Sequence, residues 1–322
     1  MKILILEPED YSVSALRTYK SVGRVYLWPL LMPGEKTKIL KSADVLVVRL
    51  GYRIDEKWFA GMPSLKAIAT PTTGLNHIDL ESAGRRKIKV ISLRGQTSFL
   101  KNITSTAELT LGLILVLARH IPDAFRHVKV GKWSRMSFRG RQLSGKTLGI
   151  LGYGRLGKIM ARYAKALGMN IIACDPSVSE KFMFVRGVKK VSMEELFKKS
   201  DIVSLHVLLT DDTHNLVKDK HLKSMKPLAY LINTARAELI EKDVLHSALK
   251  NKWIAGAAID VMWNERGDGS HLKKDPLWAY AKKNSNLIIV PHIGGATYEA
   301  MHITEEFIAD LVKNYLKSRK PE

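Results

Sequence analysis

The stretch Thr147–Gly168, TLGILGYGRLGKIMARYAKALG, decides the fold. It opens with an apolar run, and Gly152, Gly154 and Gly157 follow in the spacing G-x-G-x-x-G. Apolar residues then recur at helical intervals up to the final glycine, a residue typical of a helix C-terminus. A strand that enters a helix through such a turn presents backbone N–H groups to a pyrophosphate. The stretch therefore predicts a dinucleotide-binding unit.

The residues after this unit indicate which dinucleotide it binds. A second predicted strand, Asn170–Cys174, ends at Asp175, at the distance from the glycines where an acid binds the ribose hydroxyls of NAD. The charge of Asp175 would repel the 2′-phosphate of NADP, by on the order of 4 kcal/mol for charges about 4 Å apart at an effective dielectric near 20. The pattern favours NAD. The alternative is a glycine turn with a surface aspartate and no ligand.

Length and composition narrow the class of protein. A chain of 322 residues is long enough for about two domains. Its single cysteine, Cys174, excludes an internal disulfide framework and fits a reducing compartment. The most apolar run, Leu109–Ala118, is about half the roughly 20 residues that a membrane span needs, and the amino terminus lacks the apolar core of a signal peptide. We expect a cytoplasmic protein.

The net charge of +21 favours contact with polyanions but does not identify a partner. The basic residues are spread along the chain without the interleaved aromatics of a single-strand binder, so we expect no specific nucleic-acid partner. Gly140–Thr147 matches the phosphate loop G-x-x-x-x-G-K-T letter for letter. In that motif a strand precedes the loop and a helix follows it, whereas here a strand follows, so a triphosphatase is not favoured.

Short apolar runs alternate with helical patterns along most of the chain, which predicts an α/β protein with parallel strands covered on both faces. We predict two Rossmann-like, doubly wound domains with a cleft between them. Residues 1–104 and 291–322 form the substrate-binding domain, to which a helix at Thr304–Leu316 returns. Residues 105–290 form the NAD-binding domain and begin with a helix at Ser105–His120.

Chemically useful side chains follow three predicted strands of the second half, where an open α/β sheet binds its ligands. Arg236 follows one strand, Asp260 and then Glu265 follow the next, and His292 follows the third. A guanidinium can hold a carboxylate bidentately, and an imidazole can move a hydroxyl proton. Each residue alone has an ordinary alternative: a surface ion pair, a solvated loop acid, a buried core histidine. Together they predict hydride transfer to or from a hydroxy acid.

The motifs GYGRLG, LINTAR, AIDV and PHIGG, with Asp175 and Glu265, resemble the D-isomer-specific 2-hydroxyacid dehydrogenases, close to the phosphoglycerate dehydrogenase branch. The resemblance covers nearly the whole chain. It implies that Arg236 binds substrate, that His292 is the catalytic acid and base, and that Glu265 pairs with His292. It implies cofactor contacts at Thr73, Gly152, Gly154, Arg155, Leu156, Gly157, Asp175, His206, Val207, Thr234, Ala235, Asp260, Gly294 and Gly295. It implies substrate contacts at Arg49, Gly74, Leu75, Asn102 and Arg236.

The resulting function is an NAD-dependent oxidoreductase acting on a pair of D-2-hydroxy and 2-keto acids, including phosphorylated acids such as 3-phosphoglycerate. The resemblance also implies a homodimer joined through the Ser105–His120 helix and the neighbouring loop. An alternative is an NAD(H)-sensing regulatory protein on the same fold. No metal site is predicted, because the histidines outside these motifs (His77, His120, His127, His214, His221, His246, His271 and His302) do not pair with acids or Cys174 at metal-ligand spacing.

Overall fold

The computed structural model describes residues 1–318, which form two compact units. Unit 1 comprises Met1–Ile103, Arg266–Asp268 and the chain from Ala296 onward, and unit 2 comprises Thr104–Glu265 and Gly269–Gly295. The last four residues of the predicted tail 291–322 lie outside the described residues. The assignment of substrate binding to 1–104 with 291–322, and of NAD binding to 105–290, stays a prediction.

The amino-terminal part of unit 1 alternates strands with helices. Its elements are β1 (Lys2–Ile5), α1 (Val13–Lys20), β2 (Arg24–Leu27), α2 (Pro33–Ser42), β3 (Val45–Val47), α3 (Glu56–Gly61), β4 (Ala67–Thr70), α4 (Leu80–Arg85), β5 (Lys89–Ser92) and α5 (Thr97–Leu100). The five strands form a parallel sheet in the order β2-β1-β3-β4-β5.

Apolar residues cover both faces of this sheet. In β1, Ile3 and Ile5 face one hydrophobic cluster, whereas Leu4, between them, faces the other. A strand buried on both faces needs apolar side chains at every position, which explains why the strands appear in the sequence as continuous apolar runs.

Unit 2 repeats the alternation on a larger scale. Its elements are α6 (Ser105–Ala118), α7 (Ile121–Lys129), β6 (Thr147–Leu151), α8 (Arg155–Ala166), β7 (Asn170–Cys174), α9 (Glu180–Phe184), β8 (Lys189–Lys190), α10 (Met193–Lys199), β9 (Ile202–Leu205), α11 (Asp219–Ser224), β10 (Tyr230–Asn233), α12 (Val244–Lys250), β11 (Gly256–Ile259), α13 (Pro276–Ala281) and β12 (Leu287–Ile289). All seven strands are parallel, in the order β12-β11-β10-β9-β6-β7-β8.

The sheet of unit 2 is doubly wound. The chain runs outward from β6 to β8, then returns to β9 on the other side of β6 and runs outward again to β12. The strand order therefore reverses between β6 and β9, and a sheet of this kind binds ligands outside the carboxyl ends of the strands at that point. The predicted fold class, two α/β units with parallel sheets, is confirmed.

The helices around residue 120 differ from the prediction. The predicted Ser105–His120 helix ends at Ala118, and a second helix, α7, starts at Ile121. Pro122 lies in the first turn of α7, where its missing N–H costs nothing, so it opens a helix as well as following one. No helix within residues 1–318 has both the length and the apolar character to cross a membrane.

The chain returns to unit 1 through its longest helix, α14 (Tyr298–Lys317). The hydroxyl of Thr297 caps its amino terminus by accepting the N–H of Ala300 at 3.1 Å. Residues Ile308, Ala309, Val312 and Leu316 bury one face of α14 against α1 and the sheet of unit 1. The helix begins six residues before the predicted Thr304, at a first turn that Thr297 caps.

Candidate active site

The glycine turn between β6 and α8 lies at the reversal point of the sheet of unit 2. Gly152 has a φ of +92°, and a Cβ there would lie 2.7 Å from the carbonyl carbon of His206. A Cβ on Gly157 would lie 2.2 Å from the oxygen of Gly152, whereas a Cβ on Gly154 would meet nothing within 4 Å. The first and third glycines are thus required by packing, and the second leaves open space at the amino terminus of a 12-residue helix.

Asp175 lies at the carboxyl end of β7 and is held over this turn. Its Oδ2 accepts the N–H of Tyr153 at 2.8 Å, and its Oδ1 accepts the N–H of Ser177 at 2.9 Å. The carboxylate is therefore fixed in orientation, and each oxygen keeps a lone pair for a further donor. Residues 152–157 and Asp175 fit a dinucleotide, with an anion-binding helix terminus and a hydroxyl-binding acid.

His206 directly follows β9, the strand next to β6 at the point where the strand order reverses. Its Nε2 lies 2.8 Å from the hydroxyl of Ser204, and burial lowers the pKa of His206 to about 4. The imidazole is therefore neutral near pH 7. The next residue, Val207, is half-buried, and the backbone nitrogen of Val207 would lie 2.9 Å from a Cβ on Gly152. These residues form one wall of the turn.

The loop after β10 holds Arg236. The side chain of Asn233 closes this loop, since its Oδ1 accepts the N–H of Ala235 at 3.0 Å and its Nδ2 donates to the oxygen of Arg236 at 2.9 Å. The guanidinium donates to the oxygen of Ala235 at 2.6 Å. Burial lowers the pKa of Arg236, and the charges of Glu265 and other nearby acids oppose that shift, so the group remains a cation.

The loops after β11 and β12 join a carboxylate to an imidazole. Oε2 of Glu265 lies 2.5 Å from Nδ1 of His292, and its Oε1 accepts the N–H of Met262 at 2.7 Å. Burial tends to raise the pKa of Glu265, but His292, the Met262 N–H and Arg236 outweigh it and the pKa is lowered. Because Nδ1 of His292 contacts the acid, Nε2 is the ring nitrogen left to exchange a proton with a ligand.

Asp260 forms hydrogen bonds with the backbone of the loop that bears His292. It is 1% exposed, and its two oxygens accept the N–H groups of Ile293 at 2.6 Å and Gly294 at 2.7 Å. His292 itself has a φ of +55°, a backbone conformation that residues other than glycine rarely adopt. The hydrogen bonds to Asp260 stabilise this conformation.

Ionisation of Asp260 should make stability depend on pH. Burial raises the pKa of Asp260 to about 6, although the two N–H donors and His292 oppose the shift. Between about pH 4 and 6, the folded protein therefore keeps a proton on Asp260 that the unfolded chain has released. The free energy of unfolding of the wild type, relative to that of Asp260→Asn, should fall as pH rises through this window, by on the order of 3 kcal/mol. Urea unfolding of both proteins at several pH values measures this difference, and a pH-independent difference would contradict the assignment.

The structure brings Arg236, Asp260, Glu265 and His292 together at the carboxyl ends of neighbouring strands of unit 2. Sequence reasoning missed two residues that hold this group: Asn233, which closes the loop bearing Arg236, and Thr110 of α6, whose hydroxyl lies 2.8 Å from that of Thr234 in the same loop. An asparagine before a strand-end loop is a usable signal, because its side chain often closes such a turn. Nothing in the sequence marks Thr110.

Unit 1 contains the other predicted contacts. Thr73, Gly74 and Leu75 follow β4, where Thr73 is exposed and the next two residues are buried. The hydroxyl of Thr72 donates to the oxygen of Gly74 at 2.8 Å and shapes this loop. Asn102 is exposed.

Arg49, another predicted substrate contact, is held within unit 1. Its guanidinium forms an ion pair with the buried Glu305 of α14 and donates to the oxygen of Glu9 at 3.0 Å. Its guanidinium carbon also lies 5.0 Å from the centroid of the Tyr11 ring. These contacts of the Arg49 guanidinium all lie within unit 1. Within residues 1–318, no group of three His, Cys, Asp or Glu side chains could hold a metal ion.

Comparisons with known proteins give consistent results. The family model for the NAD-binding domain of D-isomer-specific 2-hydroxyacid dehydrogenases matches residues 111–294. The chain is 36% identical to D-3-phosphoglycerate dehydrogenase of Methanocaldococcus jannaschii, with 100% of the chain but only 59% of that protein aligned. It is also 36% identical to glyoxylate reductase of Thermococcus litoralis, with 100% and 96% aligned. Among solved structures, D-lactate dehydrogenase of Aquifex aeolicus with NAD and lactic acid has a TM-score of 0.83 at 28% identity, over 99% of this chain and 96% of that one.

Proposed function

This chain belongs to the D-isomer-specific 2-hydroxyacid dehydrogenase family, and we propose that it interconverts a D-2-hydroxy acid and the corresponding 2-keto acid with NAD(H). It contains the family's NAD-binding domain. The contact of 2.5 Å between Glu265 and His292, beside Arg236, carries the proposal. These are the groups that the reaction needs: a cation for a carboxylate and an imidazole for a hydroxyl proton.

In the proposed site, the glycine turn would hold the pyrophosphate of NAD and Asp175 its ribose hydroxyls. Residues that follow the central strands would contact the rest of the cofactor: Arg155, Leu156, His206, Val207, Thr234, Ala235, Asp260, Gly294 and Gly295. We also assign Thr73 to this set. When bound, the nicotinamide supplies the hydride acceptor or donor.

The catalytic work of the chain itself is proton transfer and orientation. His292 would donate a proton from Nε2 to the keto oxygen during reduction and remove it from the hydroxyl during oxidation. Glu265 would orient the imidazole through Nδ1. Arg236 would hold the substrate carboxylate in two parallel hydrogen bonds.

The remaining substrate contacts proposed for unit 1 are Gly74 and Leu75, whose N–H groups would receive the substrate carboxylate, and Arg49 and Asn102, nearer the rest of the substrate. Relatives with different substrates, a phosphoglycerate dehydrogenase and a glyoxylate reductase, share 36% identity with the chain. The family therefore leaves the particular acid open.

A panel of keto acids tests the function. NADH absorbance would be followed with glyoxylate, hydroxypyruvate, pyruvate and phosphohydroxypyruvate, and we expect turnover with at least one of them. Tight NADH binding without turnover of any keto acid would contradict the proposal and favour a regulatory protein that senses NAD(H). The relatives do not favour that alternative, since they are named dehydrogenases and reductases.

Asp175 should set the preference for NAD over NADP. Asp175→Asn keeps an acceptor for the N–H of Tyr153 but removes the charge that repels a 2′-phosphate. We expect the ratio of the NADPH and NADH dissociation constants to fall at least about tenfold, the loss of roughly 1.4 kcal/mol of discrimination. Fluorescence titration measures both constants, with the exposed Asp212→Asn as control. An unchanged ratio would show that Asp175 does not face the ribose.

We also propose a homodimer and a cytoplasmic location. Large apolar side chains are exposed on and after α6 and α7, and we assign them to the surface that a second copy would cover: Leu115, Ile121, Phe125, Val128, Val130, Trp133 and Met136. The single cysteine, half-buried Cys174, suits a reducing compartment.

The apolar surface around Phe125, which is 63% exposed, should carry the dimer contact. Phe125→Glu would place a charge within that surface, and we expect the dimer to dissociate at micromolar protein concentration. Sedimentation velocity gives the mass. Phe184→Glu is the matched control, because Phe184 is a phenylalanine outside this surface that is still more exposed, at 77%. A monomeric wild type, or a dimer in both variants, would contradict the assignment.

A further inference from the structure

We propose that α6 positions both catalytic loops of unit 2, and that Thr110 and Thr106 are the residues through which it acts. The inference rests on the proposed function, because it assigns the supports of Arg236 and His292. Neither threonine is among the catalytic residues, the cofactor contacts or the substrate contacts of the proposed active site.

Thr110 connects α6 to the loop after β10. Its hydroxyl is buried and lies 2.7 Å from the oxygen of Thr106 and 2.8 Å from the hydroxyl of Thr234. A carbonyl oxygen only accepts, so the single proton of Thr110 points to Thr106. Thr234 must then donate to Thr110. The result is a directed chain of hydrogen bonds from the loop to the helix backbone.

This chain of hydrogen bonds orients the segment that bears Arg236. Thr234 is 6% exposed and stands two residues before the arginine. Asn233, on its other side, binds Ala235 and Arg236 and closes the same loop. Thr110 therefore anchors a loop that has little freedom left, and a displaced Thr234 would shift the guanidinium with it.

Thr106 supports the loop after β12. A Cβ on Gly294 would lie 2.8 Å from Oδ2 of Asp260 and 3.1 Å from Cγ2 of Thr106. The loop next to His292 thus packs closely, through Gly294, on both the end of β11 and α6. Thr106 and Thr110 are four residues apart and lie on the same helix face, so one rigid element touches both loops.

The test compares Thr110→Val with Thr110→Ser. Valine keeps the shape of threonine but leaves the hydroxyl of Thr234 without its acceptor, so we expect kcat/KM for the best keto acid to fall about tenfold. Serine restores the hydroxyl and should return kcat/KM to within about threefold of the wild type. Hydrogen exchange of peptides covering 230–240 should quicken in Thr110→Val alone, and this readout does not need turnover.

Thr304→Val is the matched control. Thr304 is another buried threonine, 7% exposed, whose hydroxyl donates to the carbonyls of Ala300 and Met301 in its own helix in unit 1. We expect normal kcat/KM in this variant and normal exchange at 230–240. The inference is overturned if Thr110→Val matches the wild type in both readouts, if serine does not restore it, or if the control behaves identically. A wild type without turnover would defeat the proposed function, while the exchange measurement would still decide this inference.

Enlarging Thr106 tests the second contact. Thr106→Leu should press on Gly294, quicken exchange in peptides covering 290–297 and lower kcat about fivefold, the cost of modest overpacking. Unchanged exchange and kcat would remove Thr106 from the proposal.

Discussion

Replacing His292 by asparagine should lower kcat for keto-acid reduction about a thousandfold, within the range that a positioned acid or base contributes. Asparagine cannot deliver the proton that His292 would donate from Nε2. It also tolerates the left-handed backbone, φ +55°, that residue 292 adopts, so the loop should keep its conformation. Stopped-flow absorbance of NADH gives the rate of the chemical step.

The affinity for NADH separates loss of chemistry from loss of structure. We expect the dissociation constant of NADH in His292→Asn to stay within about twofold of the wild type, because the imidazole contacts Glu265 and the turn between β6 and α8 is unaltered. The control is His214→Asn, which removes an exposed imidazole from the same unit. Equal losses of kcat and NADH affinity would argue that His292 supports the fold.

Replacing Arg236 by lysine should lower kcat/KM for the keto acid by a few hundredfold, with most of the change in KM. The planar guanidinium can bind a carboxylate through two parallel hydrogen bonds, whereas an ammonium offers a point charge. Loss of one charge-assisted hydrogen bond and misplacement of the other correspond to roughly 3 to 4 kcal/mol. The variant also loses the contact of 2.6 Å between the guanidinium and the oxygen of Ala235.

Chemical rescue sharpens this test. Arg236→Ala leaves a gap that guanidinium ion can enter, so added guanidinium chloride at non-denaturing concentration should recover part of kcat/KM, and equal sodium chloride should not. His292→Asn should show no recovery. Arg162→Lys, on the exposed face of α8, controls for a general effect of the substitution and should retain wild-type kinetics. An Arg236→Lys variant within about threefold of the wild type would refute carboxylate binding by Arg236.

The elements nearest the proposed active site could be predicted from sequence. The strand predicted at Asn170–Cys174 has the same bounds as β7, because its apolar run lies between Gly168 and Asp175. In contrast, α7 and α9 were not predicted. Helix α9 is only five residues long, too short for apolar periodicity to mark it. Helix α7 carries Ile121, Phe125 and Val128 at helical spacing, but Pro122 in its first turn also fits the end of the preceding helix.

The sequence determined by itself where the chemical groups stand along the chain: a glycine turn after one strand and Arg236, Glu265 and His292 after three others. Parallel strands end at one edge of a sheet, so spacing in the sequence is enough to predict that such groups converge. Tertiary structure alone decided which residues hold them. Thr110 and Thr234 are 124 positions apart, and Arg49 and Glu305 are 256 apart. Such pairs leave no local pattern, because a hydrogen bond or ion pair between distant segments depends on how helices pack against a sheet, which no window of sequence contains.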